Sequence, residues 1–268
     1  MFQLPINEFT TGDAIGGVNH IPDGEIDLIF CDIPYNISNE TKIFRDYRQA
    51  DGSKKSANIS FNFDEQEEGE EEDQWDHKFD PIPFLDASVN CLHSTGSWII
   101  WCSEQQYGHI RDWGEDRGFH PRQMLVFEKS NPLPQFRLTG YRQATEIMIW
   151  ISKKPLRKNN PNFIFGTQED MKNTFHCPIV SGKERVGHKN QKPLSICQKI
   201  IKTHCKPGGI VLDAFSGSGS IALAAYSTGR NFIAIEKKQR WNKIAERRIR
   251  EYQIVKEEKT DRFEQIKF

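Results

Sequence analysis

Short runs rich in β-branched and aromatic residues alternate with longer segments of helical periodicity, and this alternation restricts the fold more than any other feature of the chain. It is the pattern of a mostly parallel sheet covered by helices, an α/β class. Strands are expected at "EIDLIFCD" (25–32), "GSWIIWCS" (96–103), "RQMLVFEK" (122–129), "TEIMIWIS" (145–152), "GIVLDAF" (209–215) and "NFIAIE" (231–236). Helices fit at Pro83 to Leu92, Glu104 to Arg117, Pro193 to Cys205, Ser220 to Thr228 and Arg240 to Tyr252. Gly229 stands just past the fourth of these, where a left-handed residue commonly ends a helix. Only a loop separates 122–129 from 145–152, so these two strands are expected to be antiparallel neighbours.

A length of 268 residues favours one sizeable core, and the whole chain, 1–268, is expected to be a single domain. Lys plus Arg number 36 against 37 for Asp plus Glu, so any surface for a polyanion must be local. Two segments depart from the alternation. One is an insert at 39–80 that contains "DEQEEGEEED" (64–73), eight acids in ten residues, which reads as a solvated loop. The other, about 153–192, is polar and basic. The six cysteines are scattered without a C-x-x-C pair, which argues against a zinc site and a disulfide scaffold, and no metal is expected. The start of the chain has no basic region followed by an apolar run, and nowhere are 18 apolar residues consecutive. No membrane partner and a soluble, cytoplasmic protein are expected.

The segment "VLDAFSGSGSIALAA" (211–225) ends a strand, turns through glycines and opens a helix. Gly217 and Gly219 permit a sharp bend and a close approach of a ligand to the backbone. With Ala222 they satisfy a dinucleotide-type G-x-G-x-x-G/A pattern, and Glu236 follows Gly217 by 19 residues at the end of the next strand, placed to accept from ribose hydroxyls. Tight strand-to-helix packing alone would explain the glycines but not this acid. A nucleoside ligand is therefore expected. Only 32 residues follow Glu236, fewer than a second half-sheet and a substrate domain need, so the functional partner of the turn is expected upstream.

Upstream lies "DLIFCDIPYNIS" (27–38), a buried strand that ends in a carboxylate and a stiff aromatic turn. Ligands of open parallel sheets sit beyond the carboxyl ends of the strands, which puts Asp32 to Tyr35 and Gly217 at one crevice. Ionised Asp32 accepts hydrogen bonds, Pro34 leaves carbonyls available, and Tyr35 offers a flat face. That set suits a flat molecule with an exocyclic amino group. Stacking on Tyr35 would hold such a ring by roughly 1–3 kcal/mol. A strand-end aspartate that merely caps the turn is the plainer alternative.

"DIPYNIS" resembles the D-P-P-Y motif of DNA amino-methyltransferases, and "DAFSGSGS" resembles their F-x-G-x-G motif for S-adenosylmethionine. Their order, catalytic motif first, is similar to the beta group, a circular permutation of the methyltransferase motif order. "FTTGDA", "FEKSNPLP", "HKNQKPLSICQKIIKTHCKPGG" and "GRNFIAIE" match the family in the same order. The resemblance implies a Rossmann-like sheet of seven strands with one antiparallel, and base flipping followed by direct in-line transfer of a methyl group to adenine N6 in DNA. It implies catalytic roles for Asp32, Pro34 and Tyr35. It implies S-adenosylmethionine binding by Asp13, Ala14, Asp32, Lys192, Pro193, Asp213, Phe215, Gly217, Gly219 and Glu236. Ile33 replaces the first proline of the motif, Ser216 and Ser220 stand where methionine and threonine are common, and the proline usual after His188 is absent. His188 reads as a loop residue.

DNA contacts are expected from "NPLPQFRLTGYR" (131–142), through Arg137, Tyr141 and Arg142, and from the basic target-recognition segment, about 153–192, with Lys183 and Arg185. Cytosine N4 uses similar chemistry, and Asp rather than Ser at position 32 favours adenine. Methylation of a glutamine amide in protein and a non-catalytic nucleotide-binding module are further alternatives. A homodimer and a cognate restriction enzyme are partners that the resemblance admits.

Overall fold

The computed structural model describes residues 4–35, 44–48, 54–58, 79–135, 138–188 and 190–265. Most of the 39–80 insert, including the acidic run 64–73, lies outside the described residues, as does Arg137. In chain order the strands are β1 (Glu8–Thr11), β2 (Ile26–Asp32), β3 (Phe44–Arg48), β4 (Lys54–Asn58), β5 (Leu92–Cys102), β6 (His120–Lys129), β7 (Thr145–Ser152), β8 (Thr174–Cys177), β9 (Ile210–Asp213) and β10 (Asn231–Glu236). The helices are α1 (Ala14–Val18), α2 (Ile82–Cys91), α3 (Glu104–Asp116), α4 (Leu194–His204), α5 (Ser220–Ser227) and α6 (Gln239–Gln265). Strands β3 and β4 form a separate antiparallel pair.

The other eight strands form one sheet in the order β1-β10-β9-β2-β5-β7-β6-β8. From β1 to β5 every pairing is parallel, β7 runs against both its neighbours, and β8 lies parallel to β6 on the outer edge. The seven strands with one antiparallel member are thus present, and β8 makes an eighth. Sequence periodicity misses β1 and β8 because each is four residues long and lies at a sheet edge, too short to display an alternation. It also ends the last helix early, since α6 continues past Tyr252 to Gln265.

Strand β2 shows why these strands read as continuous apolar runs. Ile29 and Cys31 face a core built with α1, α2 and α3, whereas Leu28 and Phe30 face a second core built with α4, α5 and α6. Both faces are dry, so alternation of polar and apolar residues disappears. Buried Asp27 fixes the placement of β2 against β9. Its carboxylate accepts the Ile210 N–H at 3.0 Å, Asn162 Nδ2 at 3.0 Å and Lys206 Nζ at 2.7 Å. The pairing Leu28–Val211 and Ile29–Leu212 follows, and it carries Asp32 to the edge where β9 turns.

The second core contains an ionisable ring. His204, in the last turn of α4, lies against Trp150 at 4.6 Å and Phe163 at 5.4 Å between ring centroids. Burial pushes its imidazole down to about 3, so the unfolded chain takes up a proton first as pH falls. The stabilisation is complete above the ordinary histidine value and is lost progressively as pH falls toward about 3. Between pH 7 and pH 5 this group costs the fold roughly 2 kcal/mol. His204→Leu is expected to reduce the loss of stability over that interval by a comparable amount, measured by urea denaturation at both pH values. An equal loss in parent and variant would remove His204 from the acid response.

Candidate active site

The parallel strands β2, β9 and β10 end in Asp32, Asp213 and Glu236, so three carboxyl groups arrive at one edge of the sheet. Between them lies a small cleft lined by Asp32, His188, Lys192, Asp213, Phe215, Ser216 and Gly217 among others. Residues more than 180 positions apart in the chain meet there, as the crossing of the two motifs requires.

The turn after β9 is built by its glycines and by Glu236. Gly217 (φ 47°) and Gly219 (φ 75°) are left-handed, and Gly219 is the residue from which α5 starts. Glu236 accepts the Gly217 N–H at 2.8 Å through one oxygen and the Lys238 N–H at 2.9 Å through the other. The two glycines face different neighbours. A Cβ on Gly217 would lie 3.0 Å from His188 Nε2, inside the cleft, whereas a Cβ on Gly219 would lie 2.5 Å from the Cβ of Ala245 on α6. The first glycine gives a ligand access to the backbone. The second is required by helix packing.

Asp13 opens α1, accepting the Gly16 N–H at 2.9 Å, and the adjacent Gly12 N–H donates to the Glu236 carbonyl at 3.0 Å. Strand β1 therefore carries Asp13 and Ala14 to the same sheet edge, but neither lines the cleft, nor do Pro193, Gly219 and Glu236. Phe215 lies edge-on to Phe79 at 5.4 Å and to Phe84 at 5.0 Å. Ser216 Oγ and His188 Nδ1 are buried in the cleft wall without hydrogen-bond partners. Buried polar atoms are normally paired, so a polar ligand beside Gly217 fits them. Burial, with nearby cations second, pushes the His188 imidazole down to about 4.

At the other motif, Asp32 is held by two groups. The Tyr35 hydroxyl donates to Asp32 Oδ1 at 2.6 Å, and Lys192 Nζ lies 2.8 Å from Oδ2. Lys192 is itself buried, 3.1 Å from Glu146, with the Tyr35 and Trp101 ring centroids at 5.0 and 5.1 Å. Lys129 Nζ lies 2.8 Å from Glu146, so charges alternate from Lys129 through Glu146 and Lys192 to Asp32. Burial raises the Asp32 carboxyl although Lys192 pulls it down. Burial alone would lower Lys192, but the two carboxylates reverse this and hold it raised and charged. Glu146, equally opposed by burial, is lowered by Lys192 and Lys129. Burial raises Asp213 well above the usual carboxylate range, with only the Phe215 N–H at 3.3 Å to offset it.

The Pro34 carbonyl is fixed from α3. Gln106 reaches back to its helix start, accepting the Ser103 N–H at 3.0 Å, while its Nε2 donates to the Pro34 oxygen at 2.7 Å. A carbonyl oxygen has two lone pairs, so one remains for a ligand. Sequence reasoning missed Gln106 and Glu146. The capping pair Ser103/Gln106 was legible as S-x-x-Q, but its contact with Pro34 was not.

The expected DNA-contact residues divide. Residues 130–135 and 138–144 follow the end of β6, which runs parallel to β2 by way of β7, and so lie at the Asp32 edge. Tyr141 there is fully exposed, and Arg142 braces the loop by donating to the Pro132 and Leu133 carbonyls. The basic segment is not one surface. Antiparallel β7 delivers Lys153 to the opposite edge, where it donates to the Val89 and Leu92 carbonyls at 2.6 Å each. Parallel β8 returns the chain, so Lys183 and Arg185 lie on the Asp32 side. Among the described residues no three His, Cys, Asp or Glu side chains are grouped to hold a metal ion. No helix among them is long and apolar enough to cross a membrane.

A family model described as DNA methylase matches residues 26–247. The chain is 31% identical over 278 aligned residues to the Type II methyltransferase M.HinfI of Haemophilus influenzae, covering 94% of this chain and 71% of that protein. It is 27% identical to the Type II methyltransferase M2.MboI of Moraxella bovis, covering 90% and 86%. In fold it is similar to the crystal structure of an M1.HpyAVI–SAM complex, with TM-score 0.66, 24% identity and coverage of 90% and 98%. It is also similar to the cytosine-N4-specific PvuII DNA methyltransferase, with TM-score 0.63, 15% identity and coverage of 91% and 88%.

Proposed function

The chain belongs to the DNA methylase family, and from that membership we propose that it methylates adenine at N6 within a specific short DNA sequence. It is an S-adenosylmethionine-dependent DNA methyltransferase. The observation that carries the adenine reading is the carboxylate of Asp32 in one cleft with Gly217, at the position where serine would favour cytosine N4.

S-adenosylmethionine supplies a methyl group made electrophilic by its sulfonium. In our reading Gly217, Phe215 and Ser216 form the wall beside which it binds, with Asp213 below and Glu236 holding the turn. Asp13, Ala14, Lys192, Pro193 and Gly219 complete or support that site. The target base enters from the duplex, extruded at a cost of a few kcal/mol. Its exocyclic amine is a weak nucleophile because the lone pair is delocalised into the ring. Asp32 and the free lone pair of the Pro34 carbonyl accept its two N–H groups and draw it toward a tetrahedral geometry, and Tyr35 flanks the ring. Placement of the amine then supplies most of the acceleration. Tyr141, Arg142, Arg137, Lys183 and Arg185 contact the DNA, one methyltransferase domain spanning 1–268 carries the site, and a cognate restriction enzyme shares the recognised sequence. A homodimer is the assembly to test by sedimentation.

Labelled methyl transfer to DNA followed by digestion to nucleosides is the decisive assay. N6-methyladenine is the expected product. N4-methylcytosine as the sole product would overturn the base assignment while leaving the rest of the site intact.

A further inference from the structure

The carboxylate that meets the amine is not held by one cation alone. Lys192 lies between Asp32 at 2.8 Å and Glu146 at 3.1 Å, and Glu146 is anchored in turn by Lys129 at 2.8 Å. Glu146 comes from β7, the antiparallel member of the eight-stranded sheet, and does not line the cleft. A buried lysine needs one carboxylate for neutrality, yet this one has two. The second carboxylate, half-buried, brings its own cation, Lys129, and the arrangement must outweigh the partial desolvation of four charges. Stability alone is therefore a poor reason for it.

We propose that Glu146 is a positioning residue for methyl transfer: by sharing Lys192 with Asp32 it keeps the lysine's charge from falling wholly on Asp32, which leaves Asp32 able to take the proton that the amine gives up. The inference rests on the amine-methylating activity proposed above. As the amine lone pair forms the N–C bond, the C–S bond breaks and its electron pair stays on sulfur, leaving a neutral thioether and a cationic methylated amine. One N–H proton of that amine passes to the Asp32 carboxylate, giving the neutral secondary amine and a protonated Asp32. Lys192 then keeps Glu146, which it shares with Lys129, as its nearest counter-ion, so the lysine is not left without a partner. Asp32 later releases the proton to solvent.

The other groups that face Asp32 do not substitute for Glu146. Tyr35 is a neutral donor that burial pushes further from ionisation. Cys31, Cys102 and Cys197 are thiols held neutral by burial. Asp213, also pushed up by burial, stands across the cleft on β9, whereas the ion pairs of Lys192 are with Asp32 and Glu146.

The test is the pH profile of single-turnover methyl transfer at saturating cofactor and duplex, from about pH 5 to pH 9. In Glu146→Gln the whole charge of Lys192 falls on Asp32, and the acid limb of the profile is expected to move down by roughly half to one pH unit with a lower plateau. Glu146→Asp keeps a more distant charge and should fall between parent and Gln variant. Cofactor affinity should stay within about threefold of the parent, because Glu146 lies outside the cleft. If Glu146→Gln does not fold, Glu146→Asp decides alone, since its limb must move in the same direction. A folded variant whose acid limb coincides with that of an active parent overturns the role of Glu146 and leaves the methylation reading standing. A parent that transfers no methyl group to DNA overturns both.

Discussion

Asp32→Asn will lower single-turnover methyl transfer by about 10²–10⁴-fold while cofactor affinity changes little. The amide keeps the shape of the side chain but presents an N–H where the amine needs an acceptor, and it cannot take up a proton. The substitution should leave the chain folded. Lys192 loses one counter-ion at 2.8 Å but retains Glu146 at 3.1 Å, so the large penalty for a buried charge without a partner does not arise. Asp32→Ala should act in the same direction with a larger loss of stability, because the Tyr35 hydroxyl also loses its acceptor at 2.6 Å. Isothermal titration with the cofactor and rapid-quench transfer to duplex DNA separate the two effects. Undiminished transfer by Asp32→Asn would remove the carboxylate from the chemistry, and loss of cofactor binding alone would make Asp32 a cofactor ligand only.

Gly219→Ala is expected to lower the melting temperature by roughly 5–15 °C before any effect on chemistry can be read. The new Cβ would stand 2.5 Å from the Ala245 Cβ and 3.3 Å from the Ala245 Cα, so α6 would have to move. The left-handed φ of 75° adds about 1–2 kcal/mol for a residue with a Cβ. Overpacking adds about 1–3 kcal/mol more. Gly217→Ala forms the contrast, since its Cβ meets only the His188 ring at 3.0 Å and points into the cleft. Its principal effect should be weaker cofactor binding, with a smaller loss of stability. Differential scanning calorimetry with and without cofactor distinguishes the pair. If Gly219→Ala melts with the parent, α6 accommodates the methyl group and the packing role assigned to Gly219 is wrong.

The two motifs were legible because each is local. A strand end, a turn and a helix start within fifteen residues determine their own geometry, and "VLDAFSGSGSIALAA" forms β9, the glycine turn and α5 as its residue types require. The dry core strands were legible for the same reason. What periodicity missed was edge structure, where β1 and β8 are too short to show a period, and the basic segment only looks continuous in sequence. Whether its lysines share a surface depends on the direction of β7. The antiparallel course of that strand sends Lys153 away from the site.

From residue types and spacing alone follow an α/β sheet, a nucleoside-binding turn and a carboxylate at a parallel strand end facing it. The tertiary structure decided how that carboxylate is held. Lys129, Glu146 and Lys192 come from β6, β7 and the loop before α4, and Gln106 reaches Pro34 across 72 positions. Charges attract through space and not along the chain, so these partnerships exist only once sheet order has set which side chains are neighbours.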